Sequence, residues 1–340
     1  MTVIEDRPGR GGAGPDGPGA PSRARALLSA VADNSVTPIL AALIIVSVVL
    51  SFMTDAFLTA SNLSNIITQS AVVGIAAIGA TFVIITGGID LSVGSNVALA
   101  GMVGALLAQA TGNGLLGIAA VLVVSMLTGA FNGTSVTLLR LAPFIVTLAS
   151  MGMARGLTLQ LSQGQTVYGL PPVLDWLGAS TVFGLGVSAI VTVILFVVAQ
   201  LVLSRTTFGH MVYAVGGNRE AARLAGIAVR RVTFICYLIA GLCAGIAAIV
   251  LLGRLDSATP NAATGLELQV IAAVVIGGTS LFGGKGSMIG TFIGVLLIGV
   301  INNGLTLLNV SSFWVQFVQG ALIFLAVLLD SFNTRRSKKR

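Results

Sequence analysis

Two long stretches of this chain contain no charged residue, and they constrain the fold more than any other feature. They cover residues 91–139 and 286–329. A membrane-spanning helix needs about 20 apolar residues, so each stretch can hold two helices joined by a polar turn. Such turns are present as TGNG at 111–114 and NVSS at 309–312. Only 9% of all residues are charged, against about 25% in a soluble domain. The sequence therefore predicts an all-α polytopic membrane protein.

The apolar segments predict about ten transmembrane helices, some of them broken. Their approximate ranges are 38–53, 64–86, 92–110, 115–139, 143–161, 182–203, 233–252, 266–280, 287–305 and 313–329. Residues 1–33 are rich in Gly and Pro and predict a disordered cytoplasmic tail, because such a segment cannot bury a core. We therefore expect three regions: that tail, a membrane domain at 34–332 and a short basic cytoplasmic tail at 333–340.

The positions of the basic residues predict the topology. If the number of helices is even, all of the 18 Lys and Arg residues except Arg155 and Arg254 fall in cytoplasmic segments. Lys and Arg are enriched in cytoplasmic loops, so we expect both termini to lie on the cytoplasmic side. This distribution explains the net charge of +7 without nucleic acid, and no nucleic-acid partner is predicted.

Residues suited to metal binding or catalysis are scarce in the chain. Cys236 and Cys243 lie two turns apart on one face of an apolar segment, which is too far for a disulfide. We expect both to be small core residues. His210 is the only histidine, so neither a metal site nor a catalytic site is predicted.

The segment GGIDLSVGS, residues 87–95, contains Asp90, the only ionisable residue between positions 56 and 139. A carboxylate at the centre of a membrane helix costs about 2.5–3.5 kcal/mol. It is tolerated where the backbone leaves the helix inside the protein or beside a watery cavity. The segment therefore predicts a broken helix, with Asp90 alternatively capping the helix that follows. The residues that it contributes as candidates for a translocation path are Gly87, Gly88, Asp90, Ser92 and Asn96.

A weak internal repeat extends this prediction to the second half of the chain. At a fixed offset of 190, Gly87, Gly88, Leu91 and Gly94 recur as Gly277, Gly278, Leu281 and Gly284. Transporters often carry paired broken helices at corresponding positions, which adds Gly277 and Gly278 to the path candidates, together with Asn302 and Asn303. Other polar residues in the apolar segments are Gln69, Thr86, Glu267, Gln269, Gln316 and Gln319. Polar side chains also join helices structurally, and that role stays open for each of them.

The loop at 206–231 predicts a short helix on the cytoplasmic side. The EAA sequence at 220–222 is followed three residues later by Gly226, which favours a helix with a glycine stop. Gly216 and Gly217 predict a turn before it, and Asn218 can cap its start. Such a helix is suited to docking a cytoplasmic partner, and an ordinary positive-inside loop is the alternative.

Four segments together resemble the ribose-type (monosaccharide) ABC transporter permeases. They are GGIDLSVGS, PFIVTLASMGMARGL at 143–157, AVGGNREAARLAGI at 214–227, and GGTSLFGGKGS at 277–287 followed by NNGLTLL. The resemblance extends over residues 36–332 and is specific when the motifs are taken together. It implies a permease domain at 34–332, the membrane subunit of an ATP-driven importer of a monosaccharide or small polyol in the bacterial plasma (inner) membrane. It also implies that the short helix is a coupling helix that contacts an ATPase.

The resemblance implies three protein partners. ABC ATPase subunits would bind the 206–231 loop, an extracytoplasmic sugar-binding protein would dock on outer loops such as 162–181 and 253–265, and a second permease would complete a homo- or heterodimer. The residues that it assigns to ATPase coupling are Gly209, Gly216, Gly217, Asn218, Glu220, Ala221, Ala222 and Gly226. GGTSLFGGKGS fails the phosphate-loop pattern at two positions, so we expect ATP to be used by the partner, with no cofactor and no enzyme activity in this chain.

Three other functions stay open from the residues alone. An ion-coupled secondary transporter would use Asp90 and Glu267 as coupling carboxylates and would need no ATPase. A permease of the amino-acid type is a related possibility that the GGIDLSVGS sequence disfavours. A membrane scaffold without transport activity leaves the broken helices unexplained. The sequence does not identify the sugar.

Overall fold

A computed structural model gives the conformation of residues 36–182 and 184–337. The tail predicted at 1–33 and the last three residues lie outside this description. The helices are α1 (Thr37–Met53), α2 (Ala60–Ile85), α3 (Val93–Thr111), α4 (Gly114–Thr137), α5 (Pro143–Ser162), α6 (Asp175–Gly178), α7 (Val187–Arg205), α8 (Thr207–Gly217), α9 (Arg219–Leu224), α10 (Val229–Leu255), α11 (Leu266–Ile276), α12 (Met288–Leu307) and α13 (Ser312–Ser337). Helix α13 thus continues into the predicted basic tail.

The lengths of the helices confirm a polytopic membrane protein. Within the described residues, seven helices are long and apolar enough to cross a membrane: α2, α3, α4, α5, α7, α10 and α12. Three shorter apolar segments lie in α1, α11 and the first half of α13. Each of the ten segments predicted from the sequence therefore corresponds to an apolar helix.

Helix α10 lies at the centre of the bundle and packs against α2, α3 and α4. A Cβ atom at Gly129 of α4 would lie 2.6 Å from the carbonyl oxygen of Tyr237. One at Gly79 of α2 would lie 2.6 Å from the Cα of Ala240. Small residues permit such close approach between membrane helices. Cys236 and Cys243 are buried free thiols in the same helix, as predicted.

The GGIDLSVGS segment joins two long helices through a buried, non-helical connection. Helix α2 ends in a Schellman motif, in which Gly87 N–H donates to Ile84 (2.9 Å) and Gly88 N–H donates to Val83 (3.0 Å). Gly87 has a φ of 75°, which favours glycine. The chain then returns into the bundle, and α3 begins at Val93. From Gly88 to Ser92 the non-helical backbone is therefore buried or half-buried in protein, as the membrane environment requires.

Helix α11 ends in the same motif, which corrects the offset of the predicted repeat. Gly278 N–H donates to Val275 (2.9 Å), and Thr279 N–H donates to Val274 (3.1 Å). Gly278, with a φ of 86°, therefore corresponds to Gly87, and the offset is 191 residues rather than 190. With 11 residues, α11 is about 16 Å long, about half of the hydrocarbon core. Helix α11 is thus a half-length membrane helix, and it is preceded by the non-helical segment 256–265.

Short antiparallel strands join the segments that were predicted to lie outside. Strand β1 (Val167–Tyr168) pairs with β4 (Ser257–Ala258), and β2 (Thr181–Val182) pairs with β3 (Leu185–Gly186). The first pair links the 162–181 loop to the 253–265 loop. The two loops predicted to receive a binding protein therefore form one connected surface.

Candidate coupling and translocation sites

The 206–231 loop folds as two helices, α8 and α9, rather than one. Gly216 and Gly217, which were predicted to form a turn, are the last two residues of α8. The helix is stabilised by core contacts that the turn prediction overlooked, since Val212 and Val215 are fully buried at helical spacing. A Cβ atom at Gly209 would collide with the carbonyl oxygen of Leu203. This glycine therefore lets α8 fold back against the end of α7.

The helix predicted at the EAA sequence is α9, and its cap forms as predicted. The Asn218 Oδ1 accepts hydrogen bonds from the backbone N–H groups of Glu220 and Ala221, both at 3.0 Å. Glu220 and Arg223 form an exposed ion pair, and the hydrogen bond from Arg223 lowers the pKa of the Glu220 carboxyl. Gly226, with a φ of 82°, follows the helix end as the left-handed residue.

Helix α9 has one face on the bundle and one face free. Ala222 is buried, whereas Ala221 is exposed, and Leu224 is 75% exposed. A Cβ atom added at Gly217 or Gly226 would meet no atom within 4 Å. We call the exposed residues Gly217, Glu220, Ala221, Leu224 and Gly226 the docking face. Leu224 was not predicted from the sequence, because a single apolar residue between polar ones is no signal of an interaction surface.

The inner side of α8 and α9 contacts the ends of two membrane segments. A Cβ atom at Gly216 would overlap the carbonyl oxygen of Ile85, the last residue of α2, and would lie 2.5 Å from the Gly284 nitrogen. The Gly284 N–H donates to this Ile85 oxygen at 2.9 Å. Arg219 Nη2 donates to the Thr86 carbonyl oxygen at 3.1 Å. Helices α8 and α9, the end of α2 and the loop after α11 therefore meet at one end of the bundle.

Asp90 lies inside the bundle in a small network of polar groups. Its Oδ1 accepts hydrogen bonds from the Ser92 N–H (2.8 Å) and the Ser92 hydroxyl (2.6 Å). Asn132 Nδ2 of α4 donates to the same Ser92 hydroxyl at 2.8 Å. Because these bonds end at Ser92, before α3 begins, Asp90 forms a turn and does not cap the helix. The alternative capping role is therefore not adopted.

Most of the other predicted path residues are also held by protein contacts. Asn96 Nδ2 donates to the Ser125 carbonyl oxygen at 3.2 Å. A Cβ atom at Gly88 would lie 2.9 Å from the Tyr237 hydroxyl. Gly277 packs against the backbone of α12, and Asn303 is bonded to Asn62 of α2. Gly87 and Gly278 lie at helix ends and are exposed.

A cleft with several polar side chains, which we call the polar cleft, is bordered by α2, α10, α11, α12 and α13. It consists of two adjoining cavities of about 330 and 810 Å³ that share several lining residues. Among the polar residues noted in the sequence, those that line it are Gln69, Glu267, Gln269, Asn302, Gln316 and Gln319. Asn302 donates to Gln269 Oε1 (3.4 Å) and accepts from Gln319 Nε2 (3.1 Å). Of the nine predicted path residues, Asn302 alone lines these two cavities.

An arginine inside α5 joins this region and was missed as a site residue. Arg155 Nη1 donates to the carbonyl oxygens of Pro260 (2.8 Å) and Ala262 (3.1 Å). The guanidinium is also close enough to Glu267 for electrostatic attraction. The charge distribution along the sequence predicted only that Arg155 faces outward. A cation within an apolar helix is itself a signal of function, and that signal could have identified it.

These features together are those of a membrane permease: a bundle of apolar helices with a cleft that contains polar side chains, and a short helix exposed at one end. Among the described residues, no group of His, Cys, Asp and Glu could hold a metal ion. The chain belongs to the family described as "Branched-chain amino acid transport system / permease component", which matches residues 62–327.

Several characterised permeases are similar to the chain over most of its length. The ribose import permease protein RbsC of Escherichia coli (strain K12) is 43% identical over 296 residues, covering 86% of this chain and 92% of that protein. RbsC of Bacillus subtilis (strain 168) is 44% identical over 85% of this chain and 90% of its own length. The L-arabinose ABC transporter permease protein AraH of Azospirillum brasilense is 36% identical, covering 98% of each chain. No solved structure matches significantly.

Proposed function

We propose that this chain is the membrane-spanning permease subunit of an ATP-driven ABC importer for a monosaccharide or similar small polyol. It resides in the bacterial inner membrane with both termini on the cytoplasmic side. The observation that carries the proposal is the capped helix α9, whose Ala222 is buried against the bundle while Leu224 is 75% exposed. Ala221, Leu224 and Gly226 are exposed together beside the Glu220–Arg223 ion pair, and an apolar surface with a charged rim is suited to a protein partner. The substrates in the names of the relatives, ribose and L-arabinose, support the transport of a sugar.

The docking face binds an ABC ATPase subunit. Ala221 and Leu224 fill a groove on the ATPase, and the Glu220–Arg223 ion pair lies at the edge of this contact. The connected 162–181 and 253–265 loops receive an extracytoplasmic sugar-binding protein. A second permease, identical or similar, completes the translocation path. The partner hydrolyses ATP, so this chain has no enzyme activity and needs no cofactor.

The polar cleft forms the wall of the translocation path. The amides of Gln269, Asn302 and Gln319 provide both donors and acceptors, which match the hydroxyl groups of a sugar. Neutral amides bind hydroxyl groups weakly, and weak binding favours release. The buried residues Gly88, Asp90, Ser92, Asn96, Gly277 and Asn303 hold the helices that border this path, and Gly87 and Gly278 allow its helix ends to turn.

The docking face can be tested by replacing Ala221 with Trp. Wild-type and A221W permease would be purified with the ATPase subunit and reconstituted with the sugar-binding protein in liposomes. We expect A221W to insert normally, to co-purify little ATPase and to lose ATP-dependent uptake. Ala142→Trp is the control, because Ala142 is also exposed and lies before α5, outside the docking face. Normal uptake by A221W would exclude α9 as the docking helix.

A second measurement tests the class of transporter. Wild-type permease would be reconstituted without any ATPase, and labelled ribose, allose and arabinose would be offered under proton and sodium gradients. We expect no gradient-driven uptake. Uptake under these conditions would instead support the ion-coupled carrier with Asp90 and Glu267 as coupling groups.

A further inference from the structure

The contact between α9 and the end of α2 is made by one charged side chain. Arg219 is the first residue of α9, and its Nη2 lies 3.1 Å from the carbonyl oxygen of Thr86. Thr86 follows the last turn of α2, where unpaired carbonyl groups give the helix a partial negative charge. A guanidinium at this position forms a charge-assisted hydrogen bond, which is stronger than a bond between neutral groups.

Backbone contacts around this bond leave little room for independent motion. Gly216 packs directly on the Ile85 carbonyl, which also accepts the hydrogen bond from Gly284. Because no side chain lies between these backbones, a displacement of α8 must displace the end of α2 as well. Tyr213 of α8 adds a hydrogen bond from its hydroxyl to the Gly286 carbonyl (2.9 Å), which is just before α12.

The segment that follows Thr86 leads directly into the membrane domain. Residues 87–92 re-enter the bundle and carry Asp90 into its network with Ser92 and Asn132. On the other side, α12 carries Asn302 into the polar cleft. Movement at the Arg219–Thr86 contact therefore reaches the buried connection at 87–92. Movement at the Tyr213–Gly286 contact reaches α12, which borders the cleft.

We propose that Arg219 is a positioning residue that transmits movement of the docking helix to the carbonyl end of α2. The proposal rests on the proposed docking of an ATPase on the opposite face of α9. The Arg219 side chain is exposed, and its hydrogen bond to Thr86 joins α9 to α2 within one permease chain; Tyr213 acts in the same way on the start of α12. Lysine retains the charge but presents a point charge on a flexible stem in place of the planar fork of arginine, so it replaces Arg219 only in part.

The test measures coupling separately from docking. Permease variants Arg219→Ala, Arg219→Lys and Tyr213→Phe would be assembled with the ATPase subunit and the sugar-binding protein in liposomes. We expect Arg219→Ala to co-purify the ATPase and to hydrolyse ATP, with the sugar transported per ATP reduced at least about tenfold, the change expected from losing a hydrogen bond to a charged group. Arg219→Lys should recover part of this ratio, and Tyr213→Phe should lower it with little effect on folding.

Arg205→Ala is the matched control, because Arg205 is an exposed arginine at the end of α7, outside the 206–231 loop and the docking face. It should keep the wild-type ratio of sugar to ATP. A normal ratio in Arg219→Ala would overturn the proposal, whatever the ratio in Tyr213→Phe. Loss of ATPase co-purification in Arg219→Ala would also overturn it, because the residue would then act in docking. Both outcomes leave the proposed function intact, whereas absence of ATP-dependent uptake by the wild type would contradict the function itself.

Discussion

Asn62 of α2 and Asn303 of α12 exchange two amide hydrogen bonds, with Nδ2–Oδ1 distances of 3.0 and 2.8 Å. Both side chains are buried, and Asn62 also donates to the Phe57 carbonyl oxygen at 2.9 Å. The neighbouring Asn302 lines the polar cleft instead. Successive residues on a helix point about 100° apart, so one asparagine joins two helices while the other borders the cavity.

Replacing Asn303 with Ala is expected to destabilise the protein. The variant leaves the buried amide of Asn62 without its partner, and an unsatisfied buried polar group costs about 1–3 kcal/mol. Thermal unfolding in detergent would measure the effect. The double variant Asn62→Ala/Asn303→Ala should lose less stability than the sum of the losses in the two single variants, because both partners are then absent. Thr306→Ala is the control on the same helix, because Thr306 is exposed and, among the described residues, its hydroxyl bonds only to the backbone one turn earlier; this variant should unfold close to the wild-type temperature. If the stability losses of the two single variants simply added up in the double variant, the pairing of Asn62 with Asn303 would be contradicted.

Replacing Gln319 with Leu is expected to slow transport while preserving stability. The variant removes the hydrogen bond to Asn302 and a polar group from the cleft, and an interaction of about 1 kcal/mol corresponds to about a fivefold change in rate. Initial uptake rates in liposomes with the ATPase and binding protein would measure it. Gln200→Leu on α7 is the control, since Gln200 lines a separate apolar cavity. An equal loss of uptake in both variants would argue against a path through the cleft.

The membrane segments could be predicted from the sequence because each depends on local composition. Charge-free runs, the polar turn residues and the Asn218 cap are properties of short windows, and the helices and this cap formed as predicted. Helix α8 was missed because its glycines suggested a turn. Its stability comes from burial of Val212 and Val215 in the core, which is a tertiary effect that overrides local propensity.

The functional roles of polar residues were harder to predict, because their roles depend on which helix each one faces. Asp90 and Gln319 are both polar residues in apolar surroundings, yet Asp90 bonds to Ser92 inside the bundle while Gln319 lines the cleft. The one-residue error in the repeat has a similar cause. The sequence does not distinguish Gly87 from Gly88, because both are glycines. Only the backbone angles identify Gly87 as the residue in the left-handed conformation.

Replacing Gly129 with Ala is expected to destabilise the bundle. The new methyl group would lie 2.6 Å from the Tyr237 carbonyl oxygen, so α4 and α10 would have to separate, which typically costs about 1–3 kcal/mol. Gly152→Ala is a matched control within α5, where a Cβ atom meets nothing within 4 Å. It should be neutral or slightly stabilising, since alanine favours helices. Similar unfolding temperatures for the two variants would contradict the close packing of α4 on α10.

Replacing Arg155 with Met is expected to loosen the 256–265 segment. Its guanidinium donates to the carbonyl oxygens of Pro260 and Ala262, and each such bond from a charged group contributes about 1.5–3 kcal/mol. The segment could be probed by introducing Ala262→Cys and following its reaction with a water-soluble thiol reagent. The native thiols Cys236 and Cys243 are buried and should react slowly.

We expect the added cysteine to react at least about tenfold faster when Arg155 is Met, because loss of even one charge-assisted bond raises the open population by that factor. Gln160→Met in the same helix is the control, since the Gln160 side chain is exposed and should leave the rate unchanged. A sugar path bordered by this segment should also become leaky, so passive sugar efflux from liposomes should rise in parallel. Equal labelling rates with and without Arg155 would mean that the strand pair β1–β4 alone holds the segment.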